Sequence, residues 1–186
     1  LMTSFTRIVV VLSLVRNAMA TQQTPPNQIL IGLALFLTFF IMAPVFDDVK
    51  VDALDPYLAN QISQEVAIDN AQGHIKDFML KQTREKDLAL FVNLAQNERP
   101  ETPKEVSLTT LIPAFVISEL KTAFQMGFLI YVPFLVIDMV IASTLMSMGM
   151  FMVPPIIISL PFKILLFVMT DGWYLVAKSL LESYGY

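Results

Sequence analysis

Three ionisable side chains, Glu119, Asp138 and Lys163, stand inside stretches that are otherwise almost wholly apolar. An ionised group at the middle of a bilayer costs about 2.5 to 3.5 kcal/mol on insertion scales, so each of these is expected to face protein or water and to have a partner. Asp138 is also too short to reach the interface along its own stem, as a lysine can. If Gly149 marks the apex of a helical hairpin, Asp138 and Lys163 lie at similar depths on its two arms and can pair within one chain. Glu119 lies much further down. A neighbouring copy displaced along the axis is the expected source of a lysine for it, so that Glu119 and Lys163 pair between copies. Together the three are read as one set of buried charges that need pairing.

Between Asp138 and Lys163 the side chains change from charged to soft. Met146, Met148, Met150 and Met152 occupy every second position, with Gly149 and Phe151 among them, and Pro154, Pro155 and Pro161 follow. Unbranched thioethers fill irregular gaps and re-pack around what they touch. The glycine and the prolines are expected to kink the hairpin and to interrupt any helix that tries to continue, a bend that lipid would penalise unless protein covered it. Two readings stand: a methionine-rich packing turn between two buried helices, or a soft, deformable constriction inside a membrane assembly.

Other chemistries lack their residues. There is no cysteine, and the single histidine, His74, leaves no histidine or thiolate metal set; it reads as a solvated residue at a helix junction beside Gly73. No phosphate-cradling glycine loop precedes a lysine, and no Gly-x-Ser-x-Gly turn occurs. Neither an enzyme nor a cofactor is expected, and without a clustered basic patch neither is nucleic acid.

The elements that must position these residues follow from composition. Of 186 residues, 55% are apolar and only 15% charged, with a mean hydropathy of +0.64, too little polar surface for a soluble globule. The pattern predicts an all-α membrane protein in three parts: N-terminal apolar helices over 1–46, a polar amphipathic helical domain over 47–108, and a helical hairpin with the methionine loop over 109–186. Leu1 to Ala20 is expected to pack as a helix against protein, following an upstream segment. Pro25 and Pro26 mark a loop, and Asn27 is a candidate cap for the next helix. Ile29 to Phe46 carries no charge and makes about 27 Å of helix, close to the hydrocarbon thickness.

From Asp47 to Leu108 twelve acidic residues face seven basic ones. Arg7 and Arg16 precede the first span, which orients its N-terminal side toward the cytoplasm and the acidic domain away from it. Val51, Leu54, Leu58, Ile62 and Val66, then Ile75, Phe78 and Met79, recur at helical spacing and predict one buried stripe. A second helix of this domain is expected to run to about Asn97, with Glu98 to Lys104 as a linker. Asp171-Gly-Trp173 predicts a break before a last amphipathic stretch, whose Trp173, Tyr174, Tyr184 and Tyr186 suit an interface.

Several of these segments carry a resemblance. Pro113-Ala-Phe-Val-Ile-Ser-Glu-Leu-Lys-Thr-Ala-Phe-Gln-Met-Gly127, Pro133-Phe-Leu-Val-Ile-Asp-Met-Val140, Met148-Gly-Met-Phe-Met-Val-Pro-Pro155, Leu160-Pro-Phe-Lys163 and Asp171-Gly-Trp173 resemble the FliP family. So do Ser4-Phe-Thr-Arg7, Pro25-Pro-Asn-Gln28 and Leu35-Phe-Leu-Thr-Phe-Phe-Ile-Met-Ala-Pro44. The resemblance covers nearly the whole chain except the polar middle.

It implies a core subunit of the flagellar type III protein export gate, with counterparts in virulence injectisomes. Several copies, expected to be five, would assemble with FliQ and FliR into a closed, helically staggered ring above FlhA and FlhB, and unfolded export substrates would pass through its centre. The implied location is the bacterial inner membrane at the flagellar basal body, with the middle domain on the periplasmic side and a cleavable signal sequence upstream. The family's methionine loop maps onto Met150, Phe151 and Met152; many relatives have methionine at all three, so Phe151 departs from the pattern and is stiffer. A scaffold that nucleates the axial rod without gating is the alternative. A secondary transporter is a weaker rival, since the chain shows no internal repeat relating its halves.

Overall fold

A computed structural model describes residues 1–21, 23–95 and 102–186. Among these the secondary structure is helical throughout, without a strand. The chain forms α1 (Phe5–Ala18), α2 (Asn27–Val49), a π-helical turn (Lys50–Leu54), α3 (Asp55–Leu58), α4 (Gln64–Gln82), α5 (Glu85–Leu94), a 3-10 turn (Pro103–Glu105), α6 (Leu108–Ser147), α7 (Pro155–Met169) and α8 (Gly172–Glu182). The expected linker and the end of the second polar helix fall partly on residues 96–101, outside the described residues.

Packing divides the chain into two compact units, interleaved in sequence. One contains Leu1–Arg7 and Leu35–Thr122, the other Ile8–Ala34 and Ala123–Tyr186. Their boundaries fall inside α1, α2 and α6, so each of these helices contributes to both.

In the second unit α1 supplies the organising stripe. Ile8, Val11, Leu12, Val15, Ala18 and Met19 are all buried, at the three-and-four spacing of a single helix face. Gly127 of α6 lets α1 come close, because a Cβ there would stand 2.2 Å from Leu14 Cδ1. Phe134 of α6 and Phe167 of α7 lie with ring centroids 6.3 Å apart, and Trp173 of α8 meets Phe167 edge to face at 5.2 Å. Asp171, at φ +51°, turns the chain between α7 and α8, which are bent by 62°. The break expected at Asp171-Gly-Trp173 is therefore present.

The first unit has its core where α4, α5 and the start of α6 meet. Met79, Val106, Leu111 and Phe115 are buried there, flanked by Ile75, Phe78, Leu88 and Val92. The stripe predicted for the polar domain is thus only half realised. Ile75, Phe78 and Met79 pack, whereas Val51, Leu54, Leu58 and Val66 are exposed. The reason is that α2 does not stop at Phe46: it continues through the π-helical turn to Leu58, and the chain reverses at Asn60, φ +54°, before α4 begins. His74 also differs from expectation, lying within α4, where its Nε2 meets Asp52 Oδ2 at 3.0 Å.

Among the described residues two helices are long and apolar enough to cross a membrane, Asn27–Leu58 and Leu108–Ser147, and the bent pair α7 and α8 together would make a third. With 40 residues, α6 is about 60 Å long, twice the thickness of a hydrocarbon core. A bilayer therefore cannot cover its whole length.

Candidate functional site

The tip between α6 and α7 is closed by its backbone. Beyond Ser147 the Gly149 N–H donates to Met146 O at 3.0 Å and the Met150 N–H donates to Leu145 O at 3.0 Å. Gly149 itself has φ +75°. These nested bonds are those of a Schellman helix end, which requires a left-handed residue at the glycine position. Pro154 then caps α7 and Pro155 occupies its first turn, where a missing N–H leaves nothing unsatisfied. Gly149, Pro154 and Pro155 therefore lie at the hairpin turn. Pro161 does not interrupt the helix: α7 continues from Pro155 to Met169 with this proline inside it. A membrane helix remains the form that satisfies most backbone groups even after one ladder bond is lost.

Several side chains on this tip are largely open to solvent in the single chain. Met146, Met148 and Met150 are exposed, Phe151 is 79% exposed and Met152 96%. Here a firmly terminated helix presents a run of conformable apolar side chains, with Phe151 and Met152 the most exposed.

Behind the tip, Lys163 is buried, and its Nζ donates to Asp138 Oδ2 at 2.6 Å. Ser159, one turn before Lys163, donates to Asp138 Oδ1 at 2.6 Å. The pairing of Asp138 with Lys163 across the hairpin is thus present, and the serine fixes the second carboxylate oxygen.

Glu119 finds its partner inside the chain. Arg7 Nε donates to Glu119 Oε2 at 3.2 Å, and its Nη2 donates both to Glu119 Oε1 and to Gln82 Oε1, the latter at 3.1 Å. Both charged side chains are almost fully buried. The neighbouring Ser118 makes a separate set: its hydroxyl accepts from the Arg84 N–H at 3.1 Å and donates to Asp87 Oδ2 at 2.7 Å. Contrary to the expectation of a lysine from another copy, Glu119 and Lys163 are each matched within the single chain, because α1 carries Arg7 onto α6. Arg7 is the residue that sequence reasoning missed. It lies on the same face of α1 as Val11 and Ala18, so a buried cation in need of an acid was there to be found.

The long apolar helices, one bent pair and ion pairs held inside define a polytopic, broken-helix membrane protein. The FliP family profile matches residues 1–180. The chain is 65% identical over 184 residues to the flagellar biosynthetic protein FliP of Bacillus subtilis (strain 168), covering 99% of this chain and 83% of that protein. The corresponding protein of Pectobacterium carotovorum is 56% identical over 184 residues, covering 99% and 71%, and that of Aquifex aeolicus 53%, covering 98% and 77%. The chain belongs to the FliP family.

Proposed function

We propose that this protein is a core membrane subunit of the bacterial flagellar export apparatus. In this reading the Met148–Met152 loops of several copies meet around one axis and plug a conduit for unfolded flagellar subunits. Relatives at this level of identity are flagellar biosynthetic proteins. The observation that carries the seal is the exposure of Met148, Met150, Phe151 and Met152 beyond a helix end fixed by Gly149. Apolar groups left open on one chain are covered in an assembly, and thioethers conform to many passing sequences without selecting one. Five copies with FliQ and FliR, close to FlhA and FlhB in the inner membrane, form the assembly in this reading, with α4 and α5 on the periplasmic side.

The test is the triple variant Met150→Ala, Phe151→Ala, Met152→Ala in the intact complex. The seal requires normal assembly with leakage of small ions across the membrane. A complex that fails to assemble places the loop in a scaffold, and one that assembles with unchanged conductance removes the seal.

A further inference from the structure

We propose that the thioethers of Met148, Met150 and Met152 are a site of reversible oxidation by hydrogen peroxide, and that the sulfoxides formed there let water and ions through the seal. Oxidation needs only the exposed loop, whereas the leak rests on the seal proposed above. The three methionines lie beyond Ser147, where α6 ends, and ahead of Pro155, where α7 begins. At membrane depth such non-helical backbone is tolerated where protein buries it or water reaches it, not against lipid. All three side chains are exposed in the chain, Met152 almost fully. Met42 and Met79, by contrast, are 0% exposed, the first within α2 and the second in the core that α4 shares with the start of α6. Met139 and Met169 are exposed as well, but on the apolar helices α6 and α7, where lipid replaces water. The loop thus combines open thioethers with access for a polar oxidant.

The methionine sulfur attacks one oxygen of hydrogen peroxide. An S–O bond forms as the O–O bond breaks, and the proton on the transferred oxygen leaves with the departing hydroxide as water. Sulfur loses two electrons and the peroxide gains them. Reductases specific for each sulfoxide epimer return that oxygen to water, while a pair of thiols becomes a disulfide. The sulfoxide is polar where the thioether was apolar. An apolar constriction closes by excluding water, so sulfoxide oxygens, which accept hydrogen bonds, hold the water that thioethers expel. A plug across a conduit meets water on both of its faces, and closure therefore does not shield it from peroxide. Phe151 is the exception within the loop, since its ring has no sulfur to oxidise. That position sets how much of the seal an oxidant can convert.

The test uses the intact complex in lipid vesicles treated with hydrogen peroxide, with oxidation located at each methionine by tandem mass spectrometry and ion leakage measured in parallel. Met148, Met150 and Met152 are expected to gain oxygen about tenfold or more faster than Met42 and Met79, since a buried thioether reacts only through local opening. Leakage should rise with that oxidation and fall again after treatment with the two reductases and dithiothreitol. The variant Met148→Leu, Met150→Leu, Met152→Leu keeps size and apolar character, so it should seal like wild type and ignore peroxide. Phe151→Met should leak more than wild type at the same dose. Loop methionines that oxidise no faster than Met42 and Met79, or peroxide leakage that persists in the leucine variant, overturn the proposal. Oxidised loops without leakage overturn it too, and the alanine triple variant then separates two failures. If that variant leaks, the seal stands and only its sensitivity to oxidation is lost; if it does not, the seal is wrong as well.

Discussion

Arg7 and Glu119, 112 residues apart, are locked together by two N–H donors of one guanidinium, both side chains nearly sealed from solvent. Removing one member of such a pair leaves the other charged and uncompensated, which typically costs about 3 to 5 kcal/mol. Arg7→Ala and Glu119→Ala are therefore expected to lower stability by similar amounts in thermal unfolding of the detergent-solubilised chain. Reversing both charges should recover part of the loss. A silent Arg7→Ala beside a damaging Glu119→Ala would mean that the glutamate depends on some other cation.

Asp138 and Lys163 predict a different ordering, because their burial is unequal. Lys163 is 1% exposed at its side chain and Asp138 28%. Asp138→Asn leaves an ammonium group in apolar surroundings, whereas Lys163→Met leaves a carboxylate that water can partly reach. The first should be the more destabilising. Adding Lys163→Met to Asp138→Asn should restore stability rather than lower it further, since removing both partners is close to neutral. Additive losses in the double variant would show that the pair is not coupled.

Much of this arrangement was legible in the sequence, and the remainder shows where pattern reading stops. Helical spacing and charge-free runs gave the long helices, and Asp138 and Lys163 could be paired by depth because a hairpin relates them through one turn. Glu119 could not, since its partner comes from a helix far away in sequence and depth along one hairpin says nothing about that helix. The exposed half of the predicted polar stripe, Val51 to Val66, misled for a related reason. Val51, Leu54 and Leu58 have the period of α2 continuing through a π-helical turn, while Val66 belongs to α4 beyond the reversal at Asn60, and period alone does not distinguish a face that packs from one that a membrane or another subunit covers. The methionine tip was visible as composition, but its exposure needed coordinates.

Gly127 tests how closely α1 and α6 must approach. In an open helix, Gly→Ala would be expected to stabilise by about 1 kcal/mol. Here the added Cβ would lie 2.2 Å from Leu14 Cδ1 and 3.0 Å from Leu14 Cβ, too near for rotation of one side chain to relieve. Gly127→Ala is expected to destabilise by about 1 to 3 kcal/mol, the range for overpacking. Leu14→Ala in the same chain should return part of that loss, read from melting of single and double variants. Stabilisation by Gly127→Ala alone would mean the helices can separate freely at this point.

The helix end at Gly149 is the last place where a single residue controls the tip. No atom lies within 4 Å of a Cβ built there, so steric crowding by neighbours is not the issue; its φ of +75° is. An L-residue in that conformation is penalised by about 1 to 2 kcal/mol, and asparagine less than most. Gly149→Ala should therefore loosen the bonds from Gly149 to Met146 and from Met150 to Leu145, while the rest of the chain melts as before. Amide exchange at Met150 is the direct readout, expected to speed up about 5- to 30-fold for a penalty of that size. Gly149→Asn should fall between alanine and wild type. If exchange at Met150 is the same in all three, the loop is not held by its helix end, and the proposed seal would have to draw its rigidity from elsewhere.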